Sequence, residues 1–237
     1  MKLITVVIVY NNRKILDNAV RYINEQTYAN FIEILAIDNS NGKFSSAAAA
    51  LNYGAIHSKG EVLAFMHQDF YLLDQEILER VYLYCKKNIA TIVGAAGVKE
   101  ERDCIISDIF DTKEKLKRYK PTENKVVDVF SVDECFFAMH RTLWEKYKFD
   151  ESTCDNWHFY AVDICVNNIL NGGLVVVMPM SAWHYSGGLI SKQFYLSLVK
   201  IIKKYKKYRL KYISTTCVKA PNNYLGILKY TVKAKLS

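Results

Sequence analysis

Four short polar clusters each follow an apolar run: Tyr10-Asn11-Asn12, Asp38-Asn39-Ser40, His67-Gln68-Asp69 and His184. Carboxylates, amides and imidazoles in such positions suit the grip of a polar ligand, because open α/β sheets bind ligands in the crevice at the carboxyl ends of their strands. All four clusters can converge on one such edge. The chemistry is not that of a dinucleotide or triphosphate cradle. No GxGxxG follows the first apolar run, and no GxxxxGK[ST] segment occurs. Gly94-Ala95-Ala96-Gly97 lies inside a later apolar run and reads as a packing feature. Cys85, Cys104, Cys135, Cys154, Cys165 and Cys217 show no CxxC or finger spacing and read as isolated core thiols.

The elements that must position these groups follow from periodicity. Residues 3–10 are apolar and β-branched throughout, which predicts a strand buried on both faces. Ile15, Ala19, Tyr22 and Ile23 recur at helical spacing within residues 13–25. Residues 32–37 and 61–66 predict two more buried strands, separated by a helix over 47–56 that Ser45 can cap. Asp74 can cap a helix over 75–87, and a fourth apolar run covers 89–98. Strands alternating with helices predict an α/β fold with a mostly parallel sheet flanked by helices. Residues 100–124 are charge-rich and aperiodic, as expected of a long loop or lid. Strands over 126–132 and 135–139 flank Asp133-Glu134; helices follow over 142–147 and 158–170. A last strand over 174–178 runs towards Trp183-His184-Tyr185-Ser186-Gly187-Gly188.

Charge divides the chain. The 237 residues carry a net +8, yet residues 190–237 hold eleven Lys, one Arg and no acid. The tail is therefore +12 and the preceding globule −4. Phe194, Leu198, Ile201, Tyr205, Tyr208 and Tyr212 recur every three or four residues among the lysines, predicting a basic amphipathic helix. Two units are expected: a domain over 1–189 and a helical extension over 190–237. No apolar run approaches the roughly 20 residues a bilayer span needs. Met1-Lys2 leads directly into the first strand and not into a signal peptide. The chain is expected to be cytoplasmic, with residues 190–212 in peripheral contact with an anionic inner membrane face. The acidic globule argues against a nucleic-acid partner.

In this order the clusters resemble a family 2 glycosyltransferase of the GT-A fold, over roughly residues 3–188. The likeness lies in Val9-Tyr10-Asn11, in Asp38-Asn39-Ser40, in Asn52-Tyr53-Gly54 before Lys59-Gly60-Glu61, and in His67-Gln68-Asp69 where a DxD metal motif is expected. It continues in Phe149-Asp150-Glu151 and in Trp157-His158-Phe159-Tyr160 with Asp163. The resemblance implies transfer of a hexose or acetamido-hexose from a nucleotide-diphosphate sugar, with UDP favoured, to a glycan or lipid-linked glycan in polysaccharide biosynthesis, with inversion. Val9, Tyr10, Asn11, Asp38, Asn39, Asn52, His67, Gln68 and Asp69 would bind the donor. Asp69 would hold Mn2+ or Mg2+, with His184 as its implied partner and His67 touching metal, phosphate or sugar. A hard cation would neutralise the leaving diphosphate, and an imidazole ligand favours Mn2+. An inverting displacement needs a base for the acceptor hydroxyl; Asp163 is the first choice, with Asp133, Glu134 and His158 as rivals. Trp157, His158 and Tyr160 would meet the acceptor. The sequence departs from the pattern at His67, in place of the first acid, and at Tyr160-Ala161, where acids are common. A nucleotidyltransferase, or a binding module without catalysis, is the alternative.

Overall fold

Residues 3–10 form the heart of the central sheet, for the reason their composition suggests. In the computed structural model, which describes residues 2–102, 104–186 and 190–237, β1 (Ile4–Tyr10) lies between β2 (Ile32–Asp38) and β3 (Val62–His67), parallel to both. Side chains alternate across a strand: Val7 joins one hydrophobic cluster, and Ile4, Val6 and Ile8 join the other. The intervening helices are α1 (Arg13–Asn24) and α2 (Ala47–His57). Asn12 caps α1 by accepting from Ile15 N, and Ser46, not Ser45, caps α2 by accepting from Ala49 N. Gly54 and Gly60 serve contact rather than chemistry. A Cβ on Gly54 would lie 2.5 Å from Val7 Cγ1, and one on Gly60 would lie 2.4 Å from Thr5 N.

β4 (Phe70–Leu72) follows β3 after a two-residue turn, and α3 (Ile77–Lys87) follows with Glu76 at its cap. Asp74 does not cap α3. It accepts from Glu76 N at 3.0 Å and pairs with Arg80 instead. The apolar run over 89–98 splits between two sheets, as β5 (Thr91–Gly94) and β6 (Ala96–Val98). The glycines permit the change of sheet: a Cβ on Gly94 would meet Val132 Cγ1 at 2.4 Å, and one on Gly97 would meet Ser131 O at 2.7 Å. The aperiodic stretch is mostly loop, as expected, among its described residues, but two short strands tie it to the sheets. It contributes β7 (Ile105–Ser107), paired with β6, and β8 (Phe110–Asp111).

β9 (Val127–Asp128), β10 (Ser131–Val132) and β11 (Phe136–His140) lead to α4 (Arg141–Tyr147), α5 (Tyr160–Leu170), β12 (Leu174–Val177) and β13 (Ala182–His184). The main sheet has the order β2-β1-β3-β11-β5-β12-β9. Within it β11 runs antiparallel to both β3 and β5. Residues preceding β11 therefore arrive at the edge where the parallel strands end. A separate three-stranded sheet, β4-β13-β8, sets His184 opposite Phe70 and Asp111. Gly187 and Gly188 of the expected segment lie outside the described residues.

The basic tail is a helix, a hairpin and a second helix. α6 (Lys192–Tyr205) stops short of Tyr212, because Asn222 Nδ2 donates to Tyr205 O at 2.9 Å and Leu210 O at 3.2 Å. Phe194, Leu198, Ile201 and Tyr205 are buried in the cluster that holds α2 and α5. The apolar face expected to meet lipid is thus turned inward. β14 (Tyr212–Ser214), β15 (Lys219–Pro221) and α7 (Tyr224–Leu236) complete the chain. Among the described residues no helix is long and apolar enough to cross a membrane. Cys85, Cys135, Cys154 and Cys165 are buried, while Cys104 and Cys217 are exposed. Burial pushes the Cys85 and Cys165 thiols up to about 12.

Candidate active site

Two cavities open at the carboxyl edge of the main sheet, and His67 and Trp157 line both. The larger, about 470 Å³, is built from the ends of β1, β2 and β3. Val9, Tyr10, Asn11, Asn39, Gln68, Asp69, Tyr160 and Ser186 all line it. Gln68 ties the loops together: its Oε1 accepts from Asn11 N at 3.1 Å and Asn12 N at 3.0 Å, and its Nε2 donates to Asn11 Oδ1 at 2.7 Å. Asn39 closes its own loop by a reciprocal pair with the Phe44 backbone. Asp38, expected to bind the donor, is exposed and lines neither cavity, accepting from Ser40 N and Oγ and, at 3.2 Å, from the Tyr10 hydroxyl that borders the larger one. The Ser40 bonds hold its carboxyl below the ordinary range.

The turn between β3 and β4 places His67 on one sheet and Asp69 beside the other, with His184 at the end of β13 facing both. His67, Asp69 and His184 each offer one ligand atom, and these atoms all lie within 4.8 Å of one another. Among the described residues this is the one such group that could hold a metal ion. His184 Nε2 is 3.7 Å from Asp69 Oδ1, buried, and without a hydrogen-bond partner. An orphaned ring nitrogen beside a carboxylate is what a divalent cation would satisfy. Asp69 is positioned through Tyr185 N, which donates to its carbonyl at 3.0 Å, and through the Ser186 hydroxyl on its Oδ2. Burial, then the neighbouring His184, holds the His67 imidazole below its ordinary range, in the neutral form that ligates. Its Nε2 lies 3.2 Å from the Tyr160 hydroxyl.

Sequence reasoning missed Asp111. Its Oδ1 is 3.7 Å from His184 Nδ1, and its Oδ2 accepts from the Tyr119 hydroxyl at 2.7 Å. A carboxylate behind a ligating histidine orients the ring and raises its basicity. No local pattern marks it, because β8 is two residues long and pairs with β13 far along the chain.

The smaller cavity, about 250 Å³, is lined by Asp133, Glu134, His158 and Trp157 and walled by Thr215, Thr216 and Cys217 of the tail. Asp133 accepts from Cys135 N at 2.9 Å and from the Thr216 hydroxyl. Burial raises its carboxyl, but His184, Thr216 and the Cys135 amide more than offset this and keep it below the ordinary range. Glu134 goes the other way. Burial and the adjacent Asp133 push it well above, against the pull of the amides of Phe159, Ala161 and Tyr160, and its Oε1 has no partner. Two neighbouring carboxyls whose affinities for protons are pushed apart have the character of an acid–base site. Phe159, at the cap of α5, is left-handed (φ 71°) and makes no side-chain cap bond. Arg102 fixes the wall, donating to Thr215 O at 2.8 Å and Thr216 O at 2.7 Å.

Two further expected site residues also stand elsewhere. Asp163 lines neither cavity. Lys204 Nζ meets its carboxylate oxygens at 2.7 and 2.9 Å and the Tyr205 hydroxyl donates to it at 2.9 Å, so its lone pairs are taken. Burial pushes this carboxyl up against the pull of Lys204 and Tyr205. Asn52, on α2, is buried and turned away from the cavities, donating to Phe149 O and Glu151 Oε1 and accepting from Trp144 Nε1 and Phe149 N. It clasps the Phe149-Asp150-Glu151 segment and does not reach the cavity.

Residues 5–206 match the glycosyltransferase-like family. "ATP synthase subunits region ORF 6" of Fuscovulum blasticum is 23% identical over 182 residues, covering 74% of this chain and 72% of that protein. The structure of GalNAc-T7 with UDP, GalNAc and Mn2+ is similar with a TM-score of 0.64 at 13% identity, over 86% of this chain and 48% of that one. The chain thus spans about half the length of that structure. The mannosyltransferase PcManGT of Pyrobaculum calidifontis, in complex with GDP-Man and Mn2+, gives 0.61 at 14% identity over 99% of this chain and 70% of that one. The shared fold is GT-A, a mostly parallel sheet with helices on both faces.

Proposed function

The chain belongs to the glycosyltransferase-like family, and from that premise we propose that it transfers a hexose or acetamido-hexose from a UDP-sugar to a glycan acceptor, with inversion. The observation that carries the reading is the cluster of His67, Asp69 and His184 at the border of the two cavities. The larger cavity takes the donor: Tyr10, Asn11 and Asn39 flank the nucleotide, and the diphosphate lies towards Asp69. His67, Asp69 and His184 would hold Mn2+, preferred over Mg2+ by two imidazoles. Such an ion supplies charge neutralisation of the leaving diphosphate.

The acceptor enters the smaller cavity. Trp157, 40% exposed and shared by both cavities, offers a ring face to a sugar. Asp133 replaces Asp163 as the base. It stays ionised, faces the cavity, and takes the proton of the attacking hydroxyl as the new glycosidic bond forms and the anomeric carbon releases the nucleoside diphosphate. The products are the extended glycan, UDP and a proton held on Asp133. His158 and Tyr160 shape the walls. A lipid-linked glycan at the inner membrane face, in polysaccharide biosynthesis, is the acceptor class that suits a cytoplasmic chain with a basic tail.

Titration calorimetry with UDP tests the reading. Binding should require Mn2+, and Asp69→Ala should weaken it by at least about a hundredfold, since even outer-shell groups are worth about 10–100. UDP affinity indifferent to both Mn2+ and Asp69→Ala would overturn the assignment. Binding that survives with no turnover of any UDP-sugar would reduce the protein to a binding module.

A further inference from the structure

α7 is apolar on two faces. The inner face, with Gly226, Tyr230 and Ala234, is buried against α6 and the hairpin. A Cβ on Gly226 would lie 2.0 Å from Pro221 O, and Tyr230 stacks on Tyr195 with centroids 6.0 Å apart. Asn223 caps the helix by accepting from Gly226 N at 3.1 Å. The helix is therefore held in one rotational setting. That setting turns Leu225, Leu228, Val232 and Leu236 outward as a single stripe at helical spacing, exposed by 72%, 63%, 47% and 84%, with Tyr224 beside it at 74%. Helices that are apolar all round are ordinarily buried. Here nothing among the described residues covers the outer face.

Charge identifies the occupant. Residues 190–237 carry twelve basic residues and no acid, against a globule of net −4. Lys229, Lys233 and Lys235 are exposed on α7 itself. Lys206 Nζ sits 3.9 Å from the centre of the Tyr224 ring, so the lysine-rich end of α6 abuts the start of the stripe. A second copy would bring a like-charged tail against this one, and five side chains fall far short of the roughly 20–30 residues a side of a stable protein interface. An anionic bilayer attracts the tail, repels the acidic globule, and accepts aliphatic side chains between its headgroups.

We propose that α7 docks on the surface of an anionic lipid bilayer, with Leu225, Leu228, Val232 and Leu236 inserted and the flanking lysines among the headgroups. The docking element is thus α7, and not the 190–212 segment that periodicity favours. Flotation of the full chain with vesicles tests it. The protein should rise with an equal mixture of phosphatidylcholine and phosphatidylglycerol and stay down with phosphatidylcholine alone. Leu225→Glu/Leu228→Glu should lower partitioning at least about tenfold, and Lys229→Gln/Lys235→Gln should lower it less and only at low salt. Both variants alter exposed positions, so Mn2+-dependent UDP binding should be unchanged and reports that each is folded. Equal flotation of wild type and the Glu variant overturns the proposal, as does wild type that never floats. A dimer in light scattering that Leu225→Glu/Leu228→Glu splits, without flotation, assigns the stripe to a second copy instead. Flotation without UDP binding would sink the transfer reading and leave this surface standing.

Discussion

The two cavities share His67 and Trp157 but are built in opposite ways. The larger is made chiefly from three parallel strand ends and the turns that follow them, so most of its lining residues sit within a few positions of a predictable strand, with α2 and the start of α5 completing it. The smaller is assembled from the loop before an antiparallel strand, the strained cap of α5 and a hairpin close to 80 residues further on, at Thr215–Thr216 beside Asp133. The regular frame presents His67 and Asp69 directly, and His184 joins them from the small β4-β13-β8 sheet. The smaller cavity, assigned above to the acceptor, depends on pieces that only the tertiary fold brings together.

That contrast can be broken by substitution. The largest effect is expected from Asp133→Asn: turnover should fall by about 10²–10⁴, while Mn2+-dependent UDP affinity holds. Single-turnover assays beside calorimetry separate the two, and loss of UDP binding would show the cavities are not functionally distinct. Next is Asp111→Asn, at a residue that lines the smaller cavity but acts on the metal through His184. Apparent Mn2+ affinity should fall about 10–100-fold, read by titrating Mn2+ at fixed UDP; an acceptor KM defect alone would place Asp111 with the acceptor.

The smallest effect concerns Asp150, which lines neither cavity and ties its segment to α6 through Lys204. Asp150 accepts from Ser152, Thr153 and Lys204. Burial raises its carboxyl, but these donors hold it well below the ordinary range. Its contribution to stability is therefore complete above the unfolded aspartate value and is lost as the pH falls towards the folded one. Thermal melting between about pH 5 and 3 should be less steeply pH-dependent in Asp150→Asn than in wild type. Parallel melting curves would show that Asp150 adds nothing.

The frame was legible because its signals are local. The runs at β1, β2 and β3 announce strands, and the polar residues just after them must fall at the sheet edge. Asp69 and His184 emerge from the same logic together with the resemblance. Asp163 misleads because an acid on a helix looks alike whether it faces a cavity or a lysine, and Lys204 is 41 positions away. Asn52 misleads likewise, its partners lying near Phe149. The tail's periodicity correctly marks an amphipathic helix, yet periodicity reports that a face is apolar and not what covers it. α6 spends its face on the core, and α7, with apolar residues on both sides, has no dominant period to read.

The hairpin pinned by Arg102 also has a consequence in time. Synthesis proceeds from the N-terminus, and domains tend to fold as their residues emerge. His67, Asp69, Asp111 and His184 are all made before Thr215, so the candidate metal ligands and the carboxylate behind them are present while the smaller cavity still lacks a wall. In the proposed reading, the residues assigned to the donor are complete in the growing chain before those assigned to the acceptor.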